Sequence, residues 1–90
     1  MTIKFEVPVF IRHLTDGKTE TLVEGRTLDE CLQRFVEQYP QTRKLLFDHE
    51  DKLLGYITVY INGINIYPEE TSPLLKDGDV VSLLYVIVGG

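Results

Sequence analysis

The chain finishes Val86-Ile87-Val88-Gly89-Gly90. The final α-carboxylate is carried by two residues without a Cβ, on a backbone that can take up conformations closed to other residues. Such an end can thread a narrow channel and present its carboxylate to another protein's active site. The plainer alternative is that two glycines merely fray, as chain ends commonly do.

The other side chains with chemical potential are isolated from one another. Cys31 is the single cysteine, so no internal disulfide can form. It falls on an apolar stripe with no Lys, His or second Cys beside it to lower its pKa, which marks a buried core thiol rather than a nucleophile. His13 and His49 have no companion at ligand spacing, so no metal site is expected. No acid–base pair suited to catalysis is in view among these side chains.

The net charge is −5, from 14 acidic against 9 basic residues. That sign gives no electrostatic footprint for phosphate backbones, and nucleic acid is not an expected partner. The acids gather in two stretches, Asp48 to Asp51 and Glu69 to Asp79. Both read as solvated loops, whose field would steer the protein toward a basic partner. No apolar run approaches the ~20 residues of a membrane-spanning helix, and Met1 to Glu6 alternates with charge, unlike a signal peptide. The expected setting is the cytoplasm, away from membranes. The expected organisation is a single domain over 1–90, with a flexible C-terminal tail from about 86.

Positioning a terminal carboxylate falls to the elements before it. Ile3 to Ile11 alternates as a strand, with Pro8 arguing for an edge or a bulge. Asp16-Gly17 signals a hairpin turn, and Lys18 to Glu24 alternates on its far side. Thr27-Leu28-Asp29-Glu30 fits a capping box. Leu28, Cys31, Leu32, Phe35, Val36 and Tyr39 then form one helical stripe, closed by Pro40. Thr42 to Phe47 reads as a short helical turn and Asp48 to Lys52 as a polar loop. Tyr56 to Ile61 and Ile64 to Tyr67 flank Asn62-Gly63, the strongest short hairpin signal. Pro68 to Pro73 is a loop, Leu74 and Leu75 are placed to plug the core, and Lys76-Asp77-Gly78-Asp79 turns the chain. Val80 to Tyr85 or beyond is a nearly all-apolar central strand, parallel to the first. The fold class is α+β: a mixed sheet of four to five strands with one main helix packed across it.

This order of elements, the helix ending in Tyr39-Pro40, the Val59-Tyr60-Ile61-Asn62-Gly63 hairpin, Pro73-Leu74-Leu75-Lys76-Asp77-Gly78-Asp79 and the terminal Gly89-Gly90 together resemble the ubiquitin-like β-grasp sulfur carriers of the MoaD/ThiS family. The resemblance covers essentially the whole chain. It implies that Gly90 bears the reactive carboxyl and that Gly89 permits close backbone approach, with Gly89, Val88, Ile87 and Val86 as the partner-binding residues. It also implies three partners. A ubiquitin-activating-like adenylyltransferase adenylates the Gly90 carboxylate with ATP. A sulfur donor then converts the adenylate to a thiocarboxylate, and an acceptor biosynthetic enzyme takes the sulfur, in some members with the carrier as the small subunit of a synthase. The carrier itself binds no cofactor, since ATP belongs to the activating enzyme.

Two features depart from that pattern. Tyr85-Val86-Ile87-Val88 is strongly strand-forming where many members have proline and small residues, so the point where the strand lets go is placed at Val86 to Val88. The stretch Arg43 to Tyr56, with Lys52-Leu53-Leu54-Gly55-Tyr56, looks more like the longer molybdopterin-type and cysteine-synthesis-type carriers than the thiazole type. Two alternatives share the same fold: a protein modifier conjugated through Gly90, and a non-catalytic β-grasp interaction module.

Overall fold

The computed structural model describes residues 1–66 and 73–85. Within them the chain forms one mixed five-stranded sheet, in the order β2-β1-β5-β3-β4, with one long helix across it. The strands are β1 (Thr2–Glu6), β2 (Glu20–Glu24), β3 (Ile57–Ile61), β4 (Ile64–Ile66) and β5 (Val80–Tyr85). β1 and β5 are parallel neighbours at the centre, and the remaining pairs are antiparallel. This is the ubiquitin-like β-grasp arrangement.

The first strand is shorter than its alternation suggests. The expected strand to Ile11 stops at Glu6, and Val9–Leu14 is a 3₁₀ helix. Pro8 is the physical cause, because it has no N–H for the ladder. Val7 makes the last bond of this kind, its N–H donating to the Thr19 carbonyl at 2.9 Å. The Arg12 side chain then donates to the carbonyl of Val7 at 3.0 Å. Pro8 therefore marks neither an edge nor a bulge: β1 has neighbours on both sides, and the proline lies just past its end. The left-handed turn at Asp16 (φ 56°) and Gly17 (φ 75°) is present. It follows the 3₁₀ helix instead of joining the strands directly, so β2 begins at Glu20 and not Lys18.

Helix α1 (Leu28–Gln38) starts where its cap signals place it. Thr27 Oγ1 accepts from the Glu30 N–H at 3.2 Å, and Glu30 Oε2 accepts from the Arg26 N–H at 3.0 Å, one residue earlier than the usual reciprocal partner. Leu28, Cys31, Leu32, Phe35 and Val36 are buried. They meet Ile3, Phe5, Val59, Val81 and Leu83 from the inner face of the sheet. At the middle of that layer Phe5 and Phe35 stack with centroids 4.2 Å apart. Pro40–Thr42 is a 3₁₀ turn and leads into the short helix α2 (Arg43–Leu46). The polar loop after it is organised by Asp48, whose Oδ1 accepts from the N–H groups of Glu50 and Lys52 at 2.8 and 3.1 Å.

The pair Leu74-Leu75 divides. Leu75 is buried, but Leu74 is 82% exposed. The segment is extended, bridged at Leu74 to Thr27, and successive side chains of extended backbone point to opposite sides. Only one of the two can enter the core. Gly78 takes a left-handed φ of 87° in the turn before β5. The readings placed on Tyr67, on the 68–72 loop and on the strand end at Val86 to Val88 lie outside the described residues.

Candidate functional site

All five site residues read from the sequence, Val86, Ile87, Val88, Gly89 and Gly90, lie outside the described residues. What the structure defines is the platform from which they leave.

β5 is the strand that delivers them, and its two sides are not equally supported. Against β3 the ladder runs from Ile61↔Val81 to Ile57↔Tyr85. Against β1 it runs only from Lys4↔Val80 to Glu6↔Ser82. Beyond Ser82 the first strand has turned away into Val7 and Pro8, so residues 83–85 keep a single backbone neighbour.

Side chains fasten this one-sided stretch. The Tyr85 ring stacks on Phe10 of the 3₁₀ helix, with centroids 3.4 Å apart and planes within 17°. The ring of Tyr56, just before β3, tilts against the Tyr85 ring at 5.1 Å and 55°. The Tyr85 hydroxyl donates to the Leu45 carbonyl of α2 at 3.2 Å. Burial, and then the neighbouring Tyr56, push the Tyr85 phenol above its ordinary value, so it stays protonated and able to donate at neutral pH. Three elements outside the strand thus meet on its last described residue.

The alternation of β5 places Leu84 on the opposite, helix-free face, where it is 52% exposed. Leu22 on β2 lies on the same face at 65% exposure, its register partner being Lys4. Between them stand Val80 and Ser82, half-buried, with Lys4 paired to Glu20 at 2.9 Å. The result is a mixed surface of apolar side chains and charge, adjoining the point where the terminal segment begins.

The remaining candidates stay apart. Cys31 is fully buried, and burial pushes its thiol up to about 11, with Glu30 adding to the effect. That suits a core thiol. His13 and His49 are both on the surface. Among the described residues no group of three or more His, Cys, Asp and Glu side chains is placed to hold a metal ion. A groove between α1, residues 47–55 and the β3–β4 end is lined by Gln33, Phe47, Leu53, Leu54, Ile57 and Ile66 among others, and brings no nucleophile and base together. No helix among the described residues is long and apolar enough to cross a membrane.

Sequence reasoning missed the aromatic cluster. Tyr85 counts there only as a strand former, and Phe10 sits in a segment read as strand. No short-range pattern signals a contact across so many residues. The one available hint was Pro8, which breaks the strand and frees Phe10 to swing over the sheet's end.

The ThiS family model matches residues 6–90, a span that includes Gly89 and Gly90. Comparison with the curated proteins gives no match. Among solved structures, the small archaeal modifier protein 1 (SAMP1) of Methanosarcina acetivorans is similar at 26% identity and a TM-score of 0.81, covering 99% of this chain and 96% of that one. A chain of the Amycolatopsis orientalis BexX/CysO complex is similar at 24% identity and a TM-score of 0.82, covering 98% and 99%. A third, at 24% identity with full coverage of both chains and a TM-score of 0.58, comes from the complex of subunits 1 and 2 of the Helicobacter pylori molybdopterin-converting factor. The β-grasp sheet and the family match over nearly the whole chain lead to one conclusion: the protein belongs to the ThiS family, the ubiquitin-like sulfur carriers that its sequence resembles.

Proposed function

We propose that this protein carries sulfur as a thiocarboxylate on Gly90. The observation that carries the reading is the family match through residue 90, which joins the fold to the terminal Gly-Gly. A carboxylate is a poor electrophile until one oxygen becomes a good leaving group. In the proposed sequence a Gly90 oxygen attacks the α-phosphorus of ATP, and pyrophosphate departs. Hydrosulfide then attacks the acyl carbon. The new C–S bond forms as the C–O bond to AMP breaks, and AMP leaves with the electron pair. The product is a compact sulfur nucleophile on a protein-sized handle, ready for an acceptor enzyme. None of these steps asks for an acid, base or metal from this chain, whose part is recognition and reach.

The activating enzyme is the proposed occupant of the helix-free face around Leu22, Lys4 and Leu84, because that face adjoins the exit of the terminal segment. Two of the similar structures are complexes by their names, which supports a partner-dependent role. The longer 43–56 stretch favours the molybdopterin-type or cysteine-type pathway over the thiazole type.

The test is an intact-mass measurement after incubation with the cognate activating enzyme, ATP and sulfide. A gain equal to the mass difference between sulfur and oxygen supports the reading. No change, with an enzyme shown to be active on its own carrier, overturns it. The similarity to SAMP1, a modifier by name, favours one second reading: conjugation through Gly90 to lysines of other proteins. Tagged protein that accumulates in isopeptide-linked species, with no thiocarboxylate formed, would select that alternative.

A further inference from the structure

The Phe10–Tyr85–Tyr56 cluster is more than strand packing requires. It sits at the rim of the fold: Phe10 and Tyr85 are half-buried, and Tyr56 is 50% exposed. It also sits where β5 has lost its β1 neighbour. Strand backbone paired on one side only has less opening free energy than backbone paired on both. Here Tyr85 is stacked on one element and hydrogen-bonded to another.

We propose that this cluster is a positioning clamp for the reaction at Gly90: by fixing β5 at Tyr85 it sets the reach of the terminal segment into the activating enzyme. The proposal rests on the reading of Gly90 as the activated carboxyl. Residues 86–90 follow Tyr85, and five residues span at most about 17 Å. A carboxylate on so short a lever is placed near its target only if the base of the lever is fixed. If the base slides by one residue, the carboxylate moves by roughly 3.4 Å, and misplacements of about 1 Å can already cost about 10²-fold in rate. Phe10, Tyr56 and Tyr85 touch neither ATP nor the carboxyl in this scheme; they act through the chain that carries it.

The geometry separates docking from delivery. The docking face proposed above is the helix-free one, which the clamp does not touch, so a docking defect would show in KM. Delivery governs kcat. The experiment is ATP–pyrophosphate exchange by the cognate activating enzyme, with the full-length protein as the varied substrate and folding of each variant checked by circular dichroism. Tyr85→Ala is expected to lower kcat by about tenfold while KM stays within about twofold. Tyr85→Phe keeps the ring stack and should recover most of the rate. Phe10→Ala removes the same stack from the opposite side, and serves if Tyr85→Ala does not fold.

The decisive arm shortens the lever. Deletion of Val88 in the otherwise unchanged protein should cut kcat by about 100-fold. In the Tyr85→Ala background the strand end can peel from β3 and restore the lost reach, so the same deletion should cost less than about tenfold. A purely structural cluster would give no such rescue. Equal costs of the deletion in both backgrounds, or a Tyr85→Ala effect confined to KM, overturn the clamp while leaving the carrier reading intact. No exchange with the unaltered protein overturns the carrier reading, and the clamp with it.

Discussion

Asn62 and Asp79 hold two turns together across 17 positions of the chain. Asn62 Nδ2 donates to Asp79 Oδ1 at 2.9 Å, and Asn62 Oδ1 accepts from the Val80 N–H at 2.9 Å. The backbone joins in, the Asn62 N–H donating to the Val80 carbonyl at 2.8 Å. Asp79 Oδ2 meanwhile accepts from the Lys76 N–H at 2.8 Å. The β3–β4 turn is thereby locked to the start of β5, the strand that leads to the terminal glycines.

Asn62 also holds a left-handed φ of 52°, which separates its two roles. Asn62→Gly keeps the backbone conformation without strain and removes only the side-chain bonds. It should cost no more than about 1 kcal/mol, the low end expected of two exposed hydrogen bonds. Urea denaturation measures this. A loss below about 0.3 kcal/mol would show that the lock contributes nothing to stability.

Acid should weaken the fold in a defined window. The Asn62 amide, and then the Lys76 N–H, hold the Asp79 carboxyl below its ordinary value of 3.8. The Lys52 and Glu50 N–H groups do the same for Asp48. The Thr2 hydroxyl and the N-terminal ammonium lower Glu24 from 4.5. A depressed folded-state pKa means that the unfolded chain binds more protons in this range. The stabilisation is therefore complete above the ordinary values and is lost as pH falls through the folded ones. The urea midpoint should be flat from neutral pH down to about 5 and then decline below about 4. Asp79→Asn should show a shallower decline than the unaltered protein. An equal slope would remove Asp79 from the cause.

Local signals fared well in the sequence where the physics is local. The Thr27 cap, the Asn62-Gly63 turn and the Lys76 to Asp79 turn each depend on a few adjacent residues, and each stands where its chemistry requires. The α1 stripe also maps onto the buried face from Leu28 to Val36, with Tyr39 half-buried just past the helix end. Failures came where two local rules competed or where the deciding partner was remote. At Pro8 the alternation of Ile3 to Val9 favoured strand, and the missing N–H overruled it. At Leu74 hydrophobicity favoured burial, and the pleat of an extended segment overruled it. The Tyr85–Phe10 contact has no local signature, and the site residues themselves, Val86 to Gly90, lie outside what the structure describes.

Gly25 is required by space rather than by φ. A Cβ there would stand 2.7 Å from Cys31 Sγ and 3.0 Å from the Cys31 backbone nitrogen. The thiol is buried on α1 and has little room to move. Gly25→Ala should destabilise the protein by about 1–3 kcal/mol. Adding Cys31→Ala relieves the sulfur contact but not the nitrogen contact, so the double variant should be more stable than the sum of the single effects predicts. Chemical denaturation of the four proteins measures the coupling, and strict additivity would mean that the helix start shifts away instead.

Phe35 tests whether the helix stripe is the centre of the fold. Its ring is fully buried, stacked on Phe5 and tilted against Tyr39 at 5.3 Å. Phe35→Ala removes that area and leaves a cavity between α1 and the two central strands, at an expected cost of about 3–5 kcal/mol. Domains of this kind typically have only about 5–15 kcal/mol in total, so the variant should be close to unfolding at physiological temperature. Phe35→Leu fills most of the space and should cost markedly less. The parallel pair β1–β5 lies directly beneath this ring, so hydrogen exchange at Phe5 and Val81 should accelerate in Phe35→Ala before exchange at the surface turns does. A loss below about 1 kcal/mol, or unchanged exchange at those two amides, would show that the layer is held elsewhere.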